Sequence, residues 1–125
     1  MALACDLAAE HGSTVTALCV IEVQAELPLG ADMREDEIAA RRLLSNAQAI
    51  GDLYGIDVTV STVRARAAGP AIVELAGDAG AEIVVLGPRR KPRVGRRAFA
   101  FGQTVAYVLA HAPCRVMLVA GPQGR

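Results

Sequence analysis

The chain reads as an α/β protein: a doubly wound parallel sheet with helices on both faces. Three observations predict it. Helical and strand periods alternate four times along 125 residues. The strand segments are short, nearly continuous apolar runs, the pattern of strands covered on both faces. Glycine and proline fall between the segments, where such a fold needs its turns.

Residues 2–10 form the first helix, with Leu3, Ala4, Leu7 and Ala8 on one face and Gly12 as the stop. Residues 14–23 are β-branched and apolar, a strand. A loop with Pro28 and Gly30 leads to a long helix over 35–54, whose buried stripe is Ala40, Leu43, Ala47, Ile50 and Tyr54. Glu35, Asp36 and Glu37 suit the positive end of its dipole. Residues 56–66, rich in Val and Thr, are the second strand. Gly69-Pro70 starts a helix with Ile72, Val73 and Ala76 inward, ended by Gly80. Residues 83–86 are a short buried strand. A helix opens at Gly102 with Val105, Val108, Leu109 and Ala112 aligned, and Pro113 stops it. Residues 115–119 are the last strand, and 121–125 a loose tail. The sequence begins on a helix, so the strand that should precede it is missing.

Length and composition fix one domain over residues 1–125 and narrow the function classes. Thirteen basic residues balance thirteen acidic ones, so no global field points to nucleic acid or membrane. Only Tyr54, Phe99, Phe101 and Tyr107 are aromatic, too few for a single-strand stacking platform. Cys5, Cys19 and Cys114 have neither disulfide nor zinc spacing, which suits reduced thiols in a cytoplasmic protein. No membrane span or signal peptide is visible. No carboxylate lies near His111 and Cys114 in sequence, so they read as structural, and no catalytic constellation emerges.

Chemistry concentrates in the last third. Arg89, Arg90, Lys91, Arg93, Arg96 and Arg97 crowd nine positions between Gly87 and Gly102. Strand, glycine, basic loop and glycine-led helix is how a backbone offers N–H groups and charge to a phosphate. The same features suit a strand terminator, a helix cap and a solvated charged loop.

The segment from Phe101 to Val119, Phe-Gly-Gln-Thr-Val-Ala-Tyr-Val-Leu-Ala-His-Ala-Pro-Cys-Arg-Val-Met-Leu-Val, resembles the C-terminal signature of the universal stress protein family. Ala81-Glu-Ile-Val-Val-Leu-Gly87 resembles the strand feeding that family's nucleotide loop, and the element order matches along the whole chain. The resemblance implies a non-enzymatic stress-response module that binds ATP, with Mg accompanying the nucleotide and no other metal. Binders share a loop of Gly, two residues, Gly, nine residues, then Gly with Ser or Thr. Here Gly87 fits the first position, Arg90 replaces the second glycine, and eleven residues separate Arg90 from Gly102. Gln103 takes the Ser/Thr position with Thr104 one place later, and Val20 stands where the family contacts adenine. An arginine forced to positive φ costs about 1–2 kcal/mol. The cationic side chains, Arg89 and Arg90 first, would then hold phosphate by charge instead.

The resemblance carries two further expectations. The apolar run Arg115, Val116, Met117, Leu118 and Val119 should lie at a sheet edge and pair with a second copy as a homodimer. Similar domains at the cytosolic ends of amino-acid permeases replace the glycine motif with Arg-rich loops, as Pro88-Arg-Arg-Lys-Pro-Arg93 does. That leaves a nucleotide-independent regulatory or interaction domain, with a transporter or other protein as partner, as the alternative. In the resembled fold the missing strand lies between strands 14–23 and 83–86. Either those two close up, or another chain supplies the strand, or the natural protein is longer.

Overall fold

Glycine punctuation sets the limits of several elements in the computed structural model, which describes residues 1–87 and 97–118, the side chains of 97–101 excepted. The order is α1 (Ala2–His11), β1 (Val15–Glu22), α2 (Arg34–Leu53), β2 (Val58–Ala65), α3 (Ala68–Ala79), β3 (Ile83–Leu86), α4 (Arg97–His111) and β4 (Arg115–Leu118). Gly12 and Gly80 end α1 and α3 in the left-handed conformation at φ 66° and 64°, which a residue with a Cβ adopts at a cost. The chain divides into two units, Met1–Arg66 and Ala67–Arg125. Every strand pairing is parallel, as expected, and the described strands form two two-stranded sheets.

In the first unit β1 and β2 run parallel from Val15 opposite Val58 to Glu22 opposite Ala65. The N–H of Val23 donates to the carbonyl of Ala65 at 2.9 Å and extends the ladder. Alternate residues Val15, Ala17 and Ile21 are buried. Val15 and Ala17 cluster with Cys5 and Ala8 of α1, Leu44 and Ala47 of α2, and Val58. A second cluster joins Ile21, Val23 and Ala40, and Cys19 packs against both.

The phase of α2 differs from the sequence expectation. Its buried stripe is Ala40, Leu44, Ala47 and Gly51, while Leu43 and Tyr54 are exposed. Spacings of four, three and four residues keep that stripe on one face. Leu43 and Leu44 are both leucine, and tight packing at Gly51 decides between them. A Cβ on Gly51 would stand 2.5 Å from Val58 Cγ2 and 2.7 Å from the Ile56 carbonyl oxygen. Only hydrogen fits. The turn after α2 produces this approach: Tyr54 and Ile56 N–H groups both donate to the Gly51 carbonyl, and Gly55 takes φ 69°.

In the second unit β3 and β4 pair from Ile83 opposite Arg115 to Leu86 opposite Leu118. Val108 of α4 is fully buried and Ala76 of α3 nearly so. Gly69 of α3 lies against Tyr107, whose Cβ and ring carbons come within 2.9–3.1 Å of a notional Cβ there. Leu109, expected inward, is 55% exposed, because Val108 takes the inward position of that turn. β3, expected buried, is half-buried along its length.

Candidate functional site

The start of α4 governs what the candidate phosphate loop can do. The sequence reading opens this helix at Gly102, but α4 begins at Arg97. The intervening residues include Ala98 and Ala100, strong helix formers, and an internal glycine costs only about 1 kcal/mol relative to alanine. Gly102, Gln103 and Thr104 therefore lie beyond the first turn, where carbonyls four residues earlier take the N–H groups. Bare amides belong instead to the first turn, from Arg97 on. Thr104 is half-buried and engaged in a contact of its own, whereas Gly102 and Gln103 are exposed.

Gly87 follows β3 directly and is exposed. Neither Gly87 nor Gly102 has positive φ. Among the described residues, a Cβ at either position would meet nothing within 4 Å. Neither backbone strain nor crowding by the described residues requires glycine at these two positions. Arg89 and Arg90 lie outside the described residues. Val20 is half-buried on β1, in the first unit, while Gly87, Gly102, Gln103 and Thr104 belong to the second. For an adenine nucleotide the fit is partial: no described residue crowds either glycine, but the main-chain donors at 102–104 are already spent.

Both histidines contact main-chain carbonyls of their own helices. His11 Nδ1 lies 2.9 Å from the Leu7 carbonyl oxygen and His111 Nδ1 lies 3.0 Å from that of Tyr107. The His111 ring stacks on Tyr107 at 4.1 Å between centroids. Both rings therefore bond one turn back, at the C-terminal ends of their helices. Among the described residues no group of three or more His, Cys, Asp or Glu side chains could hold a metal ion, and no helix is long and apolar enough to cross a membrane.

The cysteines are free, and Cys5 is buried. Burial pushes the Cys19 thiol above its ordinary value of 9.0. Unfolding lets the thiolate form more readily, so the neutral thiol favours the fold fully below that value and less as pH rises through it. Denaturant midpoints at pH 8 and pH 10 should show an alkaline loss that shrinks in Cys19→Ala. An equal loss in both proteins would count against this reading.

Sequence reasoning missed two arginines. Arg64 donates from Nη1 to the carbonyls of Leu29 (2.9 Å) and Ala31 (2.6 Å), and from Nε and Nη2 to Glu37 Oε2 (3.1 and 2.9 Å). Arg66 donates from Nη1 to the carbonyls of Val23 (3.4 Å), Gln24 (2.6 Å) and Leu27 (2.7 Å). Together they hold the segment between β1 and α2 at the C-terminal ends of β1 and β2, the end of a parallel sheet where ligands bind. Their two-residue spacing near the end of a strand, with Glu37 in the first turn of the preceding helix α2, was the one available signal.

The model of the universal stress protein family matches residues 1–120. A universal stress protein from Archaeoglobus fulgidus, solved in complex with dAMP, is similar at TM-score 0.73 and 22% identity, covering 95% of this chain and 83% of that one. A protein of the same family from Burkholderia pseudomallei follows at 0.71 and 20%, with the same coverage. A universal stress protein in complex with cAMP stands at 0.61 and 21%, covering 94% and 82%. At these identities the likeness is one of fold. No curated protein matches the chain.

Proposed function

Because the chain belongs to the universal stress protein family, matched over residues 1–120, we propose that it is a non-enzymatic module that binds adenine nucleotide in stress response. The observation that carries the reading is the conjunction at β3 and α4. No described residue crowds Gly87 at the strand's end, and α4 starts five residues early, within the arginine run. Arg89 and Arg90 would hold the phosphates, with Gly87 and Gly102 permitting close approach. Val20 is the residue that the family resemblance assigns to adenine. Relatives solved with dAMP and cAMP support the ligand class. ATP with Mg is the fuller form proposed.

The protein works, in this reading, as a cytoplasmic homodimer. The β4 side chains Arg115, Met117 and Leu118 are exposed on a strand whose only partner among the described residues is β3. An exposed apolar edge is a template for pairing, and a second β4 would cover it. Val119 lies outside the described residues.

One observation favours the alternative, a nucleotide-independent regulatory or interaction domain of the kind joined to permeases. The N–H groups of 102–104 are internal to α4, so the main-chain part of a phosphate cradle is missing there. Isothermal titration with ATP, ADP and AMP decides between the two. Saturable heat at millimolar or lower concentration, reduced about tenfold in affinity by Arg89→Ala with Arg90→Ala, supports the nucleotide module; such a loss equals about 1.4 kcal/mol. Absence of heat with all three supports the interaction domain.

A further inference from the structure

Arg64 and Arg66 grip the same segment in the same way, yet among the described residues only Arg64 is paired with a carboxylate. In each, Nη1 points at main-chain carbonyls: Leu29 and Ala31 for Arg64, Val23, Gln24 and Leu27 for Arg66. In Arg64 the remaining edge of the guanidinium, Nε and Nη2, closes on a single carboxylate oxygen of Glu37. Among the described residues no carboxylate pairs with Arg66, and its contacts all run through Nη1.

We infer that the Nε–Nη2 edge of Arg66 is a receptor for a small oxyanion, a carboxylate or a phosphate, at the end of β2. A guanidinium keeps its charge at any working pH, and that edge presents two parallel N–H donors at the spacing of two oxyanion oxygens. Three carbonyls fix the group, so much of the ordering that normally weakens an exposed arginine contact is done on folding. The residue is exposed, so a ligand can reach it. Arg64 is the internal precedent: the same edge, on the same kind of anchored group, already holds a carboxylate oxygen. Every residue named in the site belongs to the first unit.

Arginine side-chain NMR of the wild-type protein tests this directly. Nε and Cζ resonances are followed while inorganic phosphate or acetate is added, with sodium chloride at matched ionic strength as control. The Arg66 signals should move saturably at millimolar phosphate or acetate, while those of Arg64 stay with the chloride control. Arg41 and Arg42, exposed on α2, report ordinary surface screening. The arm that saturates at lower concentration names the oxyanion. Arg66→Lys keeps the charge, loses the two-donor edge, and should abolish the saturable binding while backbone spectra remain those of a folded protein. Arg66 signals that track chloride, or that move no more than those of Arg41 and Arg42, overturn the assignment.

Discussion

Replacing Gly51 with alanine should destabilise the first unit by about 2–3 kcal/mol, the upper part of the range for overpacking a tight contact. On an open helix surface the same change would stabilise by up to about 1 kcal/mol, because alanine is the better helix former. Here the added carbon meets Val58 Cγ2 at 2.5 Å and the Ile56 carbonyl at 2.7 Å. The valine methyl can rotate away. The carbonyl cannot, because it belongs to the backbone leaving the Gly55 turn, whose N–H groups at Tyr54 and Ile56 are tied to Gly51 itself. Relief therefore requires moving α2 from β2, which opens the cluster around Leu44, Ala47 and Val58. Thermal and urea unfolding check this, and an unchanged or raised midpoint would show the contact to be soft. Ala47, one turn earlier on the same face, is the control that separates burial from backbone crowding.

Arg64→Met should cost about 1.5–3 kcal/mol and release the segment between β1 and α2. The ion pair with Glu37 is a minor part. Side-chain exposures of 28% and 37% put it among screened pairs worth at most about 1 kcal/mol. The larger part is the two carbonyls of Leu29 and Ala31, which lose a charged donor. Methionine keeps the apolar stem, so packing loss does not confuse the comparison. Hydrogen exchange should accelerate at Leu27 and Ala31, whose N–H groups donate within the segment to Gln24 and Pro28, and not at Val108 in the second unit. Arg64→Lys should restore little, since one ammonium cannot span both carbonyls and the carboxylate. Protection unchanged in the methionine variant would show the segment holds itself.

The parts of the fold that were legible in the sequence are those set by local chemistry. Gly12 and Gly80 announced helix ends because only glycine enters the left-handed region freely. The parallel architecture was legible because apolar strands separated by helices leave few alternatives. Where competing local signals were balanced, the sequence could not decide. Leu43 and Leu44 both suit a core, and the choice was made by how closely Gly51 meets β2, a tertiary matter. Gly102 looked like a helix start because glycine often stands at helix boundaries, yet the preceding alanines extend the helix back to Arg97. The candidate site was legible as a basic, glycine-flanked loop, but not as geometry. The roles of Arg64 and Arg66 were hidden because their partners are main-chain carbonyls, which every residue carries.

The central claim is that an adenine nucleotide places its phosphates beside Gly87 and the first turns of α4. Amide NMR of the uniformly labelled protein during addition of ATP with Mg measures it most directly. Saturable shifts are expected at Gly87 and across residues 97–104, with Leu53 and Gly55 of the first unit unmoved. Shifts absent from both segments at millimolar ATP, or spread evenly over the exposed arginines, would contradict it.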